Sequence, residues 1–251
     1  MTMEQSPYEF LTPPAAPTRG NVTVLVTDTL RTAIVTLSLK PGETLDKNAI
    51  CERLGVSRFP VSEALSRLQT EGLVDIMPQR GSVVSLIRIA DVLEYMLIRK
   101  SLEAEAVRVV AGSAHDELVD MLQHNIEYQR TAAAMEDQQG FHQRDIEFHD
   151  IIFSHMNFSK VRQVIDSTRS NLDRARRLIL TPRRLEMSLG EHEQILAGIV
   201  AGDAAAAAAA MRTHVDRVMA ELIDFARDNT QLFADGDSLA ADPDYANFPF
   251  G

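Results

Sequence analysis

Hydrophobic positions along this chain follow a helical period, switch once to a period of two, and then return to the helix. From Val22 to Leu37 the residues Val22, Leu25, Val26, Leu30, Ala33, Ile34 and Leu37 fall on one helical face. LKPGETL interrupts them as a Pro-Gly turn. A short helix is predicted over Lys47–Leu54, ended by Gly55. Ser57 then caps a helix in which Val61, Leu65 and Leu68 share a face, and Gly72 ends it. LVDIMPQRGSVVSL alternates apolar and polar residues around PQRG, which predicts a small β-hairpin. Beyond Ile89 the helical period holds to the end of the pattern. Helices are predicted near Ala90–Ala111, Ala114–Ala133, Asp137–Ser154, Lys160–Ile179, Arg184–Ala201 and Ala204–Asp228, the last capped by Asp203 and opened by a run of alanines.

The fold class expected is mainly α. A winged helix-turn-helix of three helices and a small β-hairpin, residues 21–88, precedes an all-α six-helix ligand-binding bundle, residues 89–230. Residues 1–20 carry Pro7, Pro13, Pro14 and Pro17 without an apolar period and predict a mobile arm. Residues 231–251 are acidic and punctuated by Gly and Pro, and predict a poorly ordered tail.

A winged helix places its third helix in the DNA major groove and its wing tip on the backbone or minor groove. Ser57 and Arg58 stand at the N-terminus of that third helix, where backbone N–H groups and the dipole favour a phosphate. Arg80 and Gly81 form the wing tip, and Arg67 lies further along the third helix. A helical bundle with a solvated, charged face is the competing reading of the same spacing. The formal net charge of -11 argues against nucleic acid for the chain as a whole. Between Val22 and Arg88, however, acids and bases nearly balance, and the acid excess lies elsewhere.

In the helical half, polar side chains turn inward. Asp145 and His149 fall on the stripe of Phe141, Phe148 and Ile152, His192 is in register with Ile195, Leu196 and Ile199, and His214 with Met211, Val215, Val218 and Leu222. One such imidazole is ordinarily a hydrogen-bonded core histidine. Four inward ligands on three helices point to a shared divalent cation, with Zn or Ni suited to one carboxylate and three imidazoles. His142, one turn before Asp145, complicates the set, while His115, His124 and His155 read as surface residues.

Two stretches carry a resemblance. LSLKPGETL, LGVSRFPVSEALSRLQTEGLV and PQRGSVV, over most of residues 30 to 84, resemble the N-terminal domain of GntR-family transcription regulators. The resemblance implies DNA contacts at Ser57 and Arg58. The family usually has threonine where this chain has Phe59 and arginine where it has Ser62, so the operator read here is expected to differ, with Phe59 placed to press on a thymine methyl. D-x-x-x-H, EHEQIL with AGD, and M-x-x-H are similar to the FadR-type (FCD) ligand-binding branch. That likeness implies Asp145, His149, His192 and His214 as metal ligands and a small carboxylate effector. Arg99, in an R-x-x-LE motif, is the implied effector contact, with Arg169 and Arg174 as weaker ones; the plain alternative for Arg99 is an i, i+4 pair with Glu103.

A homodimeric, cytoplasmic repressor on double-stranded operator DNA follows from these expectations, with no membrane association. No run of apolar residues reaches membrane-spanning length, and the one cysteine, Cys51, leaves no intrachain disulfide and reads as packing. Two rivals remain. One is a metal-dependent enzyme in the bundle, with Glu147, Glu191 or Glu193 as base. The other is a DNA-binding protein whose metal is purely structural.

Overall fold

The computed structural model describes residues 8–12, 21–78, 81–113, 116–156 and 158–242, without the side chains of 166–169. Packing divides them into two compact units. The first is the chain up to Arg88 together with Gln231–Gly236; the second is Ile89–Thr230 with the residues from Asp237 onward.

In the first unit, helix α1 (Val22–Val35) leads to strand β1 (Thr44–Leu45), helices α2 (Lys47–Leu54) and α3 (Arg58–Thr70), and strands β2 (Val74–Met77) and β3 (Gly81–Val84). The sheet is antiparallel in the order β1-β3-β2, so the predicted hairpin gains a third strand. Thr44 pairs with Val83 and Leu45 with Ser82, because burying Leu45 carries the chain after the Pro-Gly turn along the edge of β3. Asp46 caps α2, accepting from the amides of Asn48 and Ala49, and Gly55 closes it with φ of 66°. Ser57 occupies the cap position of α3, but its side chain makes no cap hydrogen bond, contrary to expectation. Its extended backbone already starts the helix, and the hydroxyl is left for other partners. Half-buried Cys51 packs against the core of this unit, as expected.

Both chain ends depart from the pattern. The predicted mobile arm contains an anchored turn, because Tyr8 and Leu11 are buried in the core of the first unit. The Tyr8 hydroxyl accepts from the amide of Asp46, and Arg53 donates to the carbonyls of Tyr8, Glu9 and Leu11. In the tail, Thr230–Leu232 forms a 3-10 turn and Gly236–Ala241 helix α10. Phe233 bridges to Ile87, with hydrogen bonds from the Ile87 amide to the Leu232 carbonyl and from the Ala234 amide to the Ile87 carbonyl. Burial of Phe233 and Leu239 supplies the hydrophobic reason. Phe248 and Phe250 lie outside the described residues.

The second unit comprises α4 (Ile89–Ala111), α5 (Asp116–Ala134), α6 (Gln138–Met156), α7 (Ser159–Leu178), α8 (Pro182–Val200) and α9 (Ala204–Asp228). Thr181 caps α8 with Pro182 in its first turn, and Asp203 caps α9 as predicted. Helix α9 packs along α4 and α8, and α5 along α6 and α8. The alanine run serves close approach: a Cβ on Gly198 of α8 would lie 2.7 Å from the Cα and N of Ala207 on α9. Among the described residues no helix is long and apolar enough to cross a membrane.

Because the obstruction at Gly198 is backbone, no side-chain rotation relieves it. Gly198→Ala is expected to lower stability by about 1–3 kcal/mol, outweighing the ~1 kcal/mol gained in helix propensity. Thermal unfolding by circular dichroism reads the outcome, and an unchanged or raised midpoint would contradict the packing.

Candidate functional site

All six long helices of the second unit contribute to one buried polar cluster. Asp145 and His149 come from α6, His192 from α8 and His214 from α9, each on the stripe that the apolar period of its helix buries. Asp145 is 2% exposed, His149 4%, and His192 and His214 0%. One ligand atom from each lies within 4.8 Å of the others. The His192 and His214 ring centroids are 4.7 Å apart, and Phe148 stacks on His192 at 4.4 Å.

The outer side of each ligand is occupied. Nδ1 of His192 lies 2.7 Å from Gln129 Oε1 on α5, and Gln129 in turn donates to Asn125. Nδ1 of His214 lies 2.7 Å from Glu191 Oε2, which also accepts from Arg184. Nδ1 of His149 lies 3.0 Å from Glu103 Oε2, and Glu103 accepts from Arg99 at 2.6 Å through its other oxygen. Asp145 uses Oδ2 to accept from Arg176 of α7, leaving Oδ1 toward His192 Nε2 at 3.6 Å. At His192 and His214 the acceptor at Nδ1 assigns the proton there and turns the Nε2 lone pair inward, while at His149 the Glu103 carboxylate lies close to Nδ1 as a charge neighbour. The three Nε2 atoms are buried and have no hydrogen-bond partner. Such orphaned acceptors are costly unless a common partner satisfies them, and a cation is the one partner that suits all three and Asp145 together. The donor set fits a divalent metal.

Electrostatics point the same way. Burial pushes the His192 imidazole well below its ordinary value and that of His214 to about 4, so both are neutral as metal ligands must be. Burial alone would raise Asp145, but the Arg176 guanidinium and the neighbouring imidazoles hold it well below the carboxylate range. Glu103 is likewise held at about 2, as Arg99 and His149 outweigh its burial. His142 stays outside the four-ligand group. It is buried, its Nε2 is 4.0 Å from Asp173 Oδ1, and burial lowers it to about 3.

Beside His149 opens a cavity lined by Arg99, Arg176 and Asp173 and by the apolar Ile98, Phe153 and Ile165. Arg99 thus combines two expectations: it makes the i, i+4 pair with Glu103, buried and not solvated, and it also borders the cavity. Arg174 is wholly buried and does not line this cavity. The side chain of Arg169 lies outside the described residues. His124 and His155 are exposed, as expected, and His115 lies outside the description.

Sequence reasoning missed Gln129, the buried place of Arg176 on Asp145, and the contact of Glu103 with His149 beyond its pair with Arg99. Each residue carries a detectable signal, a polar residue on a buried stripe: Arg176 falls in register with Leu172 and Ile179, and Gln129 with Leu122 and Ile126. The carboxylates considered as catalytic bases are engaged, Glu147 with Arg144, Glu193 with Arg130, and Glu191 with His214 and Arg184.

In the first unit, Ser57, Arg58 and Phe59 are exposed at the start of α3. Arg58, Ser62 and Gly81 line one open groove with Lys47, Asn48 and Ser82. Arg67 does not line it; it pairs with Glu63 at 3.7 Å and borders a separate depression with Arg31 and Glu71. Arg80 lies outside the described residues. Lys47 and Asn48, at the start of α2, had no signal in the hydrophobic pattern.

Residues 24–84 match the family of bacterial regulatory proteins described as gntR, and residues 94–217 match the FCD domain. The chain is similar to an uncharacterised HTH-type transcriptional regulator in an unstable DNA locus of Streptomyces ambofaciens, 31% identical over 206 residues, covering 82% of this chain and 86% of the relative. It is similar to the HTH-type transcriptional repressor RspR of Escherichia coli K12, 28% identical over 209 residues, covering 82% and 91%. Among solved structures, a GntR transcriptional regulator from Rhodococcus sp. RHA1 superposes with a TM-score of 0.69 at 25% identity, over 80% of this chain and 97% of that one.

If Gln129 sets the proton on His192, Gln129→Leu is expected to weaken divalent-ion affinity by about 10–100-fold. Competition with a chromogenic chelator measures this, and unaltered affinity would contradict the assigned role.

Proposed function

The chain belongs to the gntR family of bacterial regulatory proteins and carries an FCD domain, and from that premise we propose a dimeric repressor whose hold on its operator is controlled by a small organic or sugar acid at a divalent metal. It is a DNA-binding transcription regulator, and its family is one of regulators, not enzymes. The observation that carries the sensing half is the convergence of three buried, unpartnered Nε2 atoms with Asp145 beside a cavity that Arg99 and Arg176 border.

Asp145, His149, His192 and His214 would hold the ion, for which Zn or Ni suits the donor set. When bound, it supplies coordination positions for a carboxylate beyond its four protein ligands. Arg99 offers a guanidinium able to grip the same acid in a bidentate way. Glu103 keeps Arg99 and His149 in place, so the effector contact and a ligand share one support. Arg169 and the wholly buried Arg174 of the same helix are weaker candidates for a further cationic contact with the acid.

For DNA, Ser57, Arg58, Phe59, Ser62 and Gly81 form the reading face, with Arg67 and Arg80 on flanking phosphates. A winged helix reads one half-site, so two copies suit a pseudo-palindromic operator. Repression is favoured because the Escherichia coli relative is named a repressor. An acid controls the operator only if it binds the DNA-competent and incompetent arrangements with different affinity. The near-complete burial of all four ligands favours a second reading, a purely structural ion.

Operator affinity, followed by fluorescence anisotropy across a panel of organic and sugar acids, separates the readings. One acid is expected to weaken binding about 5–150-fold, the usual span of allosteric coupling. Chelator-treated protein and Arg99→Lys should lose that response while keeping effector-free affinity. An acid acting equally on all three proteins would contradict the proposal. Unfolding on chelation, with no acid response in intact protein, would favour the structural ion.

A further inference from the structure

Phe59 is 75% exposed, the most exposed of the large hydrophobic side chains described. Isolated apolar residues on a surface are common and ordinarily need no explanation. This one has a position that does. It is the second residue of α3, and at about 100° per residue it falls opposite the buried stripe of Val61, Ala64, Leu65 and Leu68. The ring therefore cannot fold back onto the core of its own unit. Its companions on the outward face are Arg58, Ser62, Ser66 and, one turn on, Glu63, whose carboxylate is paired with Arg67 at 3.7 Å.

The charges around it are arranged selectively. Arg53 is committed to three carbonyls, Arg31 to Glu71 and Asp28, and Arg67 to Glu63. Among the described residues Arg58 and Lys47, which line the groove beside α3, have no ion-pair partner. The one carboxylate lining that groove, Asp46, is occupied in capping α2. The face thus offers cations and helix N-termini for phosphate, and a bare aromatic ring at the point where a recognition helix meets base edges. In the major groove the one apolar feature of a base pair is the C5-methyl of thymine.

We infer that Phe59 is a specificity-determining residue that reads the methyl group of a thymine in each operator half-site. Lys47 holds the backbone, and beside the hydrogen-bonding Arg58 and Ser62 Phe59 distinguishes thymine from cytosine by apolar contact. The inference rests on the DNA-binding reading of this face and adds the base that it selects.

The test begins with selection of bound duplexes from a randomised library by the full-length wild-type protein. Each thymine of the selected sequence is then replaced singly by deoxyuridine, which removes only the methyl. Affinities are measured for wild type and Phe59→Ala, a surface change that leaves the core of the unit intact. At one thymine per half-site, deoxyuridine should weaken wild-type binding about three- to fivefold, the transfer value of one methyl, and leave Phe59→Ala binding unchanged. Methyl effects equal in the two proteins, or absent from both, would overturn the role of Phe59 while leaving DNA binding intact. Failure of the wild type to enrich any sequence would overturn the DNA-reading face itself.

Discussion

A carboxylate and three imidazoles sit in the interior of a helical bundle where water does not reach, and the surrounding structure is organised around that constraint. Taking such groups out of water costs several kcal/mol each unless hydrogen bonds or opposite charges replace it. Here every outward atom has its replacement nearby: Gln129 beside His192, Glu191 beside His214, Glu103 beside His149 and Arg176 on Asp145. These supports are themselves held, by Asn125, Arg184 and Arg99. The inner atoms have no such replacement, and that asymmetry is what distinguishes a ligand cluster from a satisfied polar core. The close crossing of α8 and α9 at Gly198 and Ala207 belongs to the same design, because those two helices carry His192 and His214.

The first unit solves a different problem with its charges. Most of its arginines described here are spent internally, Arg53 on the Tyr8–Leu11 turn and Arg31 on the end of α3. Arg58 and Lys47 remain uncommitted at the groove by the starts of α2 and α3. A protein of formal net charge -11 can therefore still present a local phosphate-binding face. The chain leaves this unit at Arg88 and returns to it at Gln231, directly after the helix that carries His214. It leaves again at Gly236, so three covalent connections join the DNA-reading unit to the proposed sensing unit.

Helix positions were legible because each helix combines a 3.6-residue apolar period with a chemical stop: Gly55, Gly202 before Asp203, Pro182 after Thr181. The inward placement of Asp145, His149, His192 and His214 was legible for the same reason, as polar side chains on stripes that must be buried. Their supports carried the same signal but no indication of pairing, since Gln129 meets His192 across 63 positions of sequence. Period and composition could not reveal the anchored turn at Tyr8 and Leu11 either. Two apolar residues inside a Pro-rich segment make no pattern, and their hold depends on Arg53, which is distant in the chain. Strand β1 was hidden similarly, because two residues are too few to show alternation. Ser57 has the residue type and backbone of a cap without the side-chain bond, a distinction no sequence pattern encodes.

The central claim is that Asp145, His149, His192 and His214 hold one cation. Elemental analysis of untagged full-length protein, prepared in parallel with Asp145→Ala and His214→Ala, tests it most directly. The account predicts about one divalent ion per chain in the wild type, as ligands preset in the correct protonation state require, and a loss of most of it in both variants. Wild-type protein without metal after metal-replete growth, or equal content in all three, would contradict it.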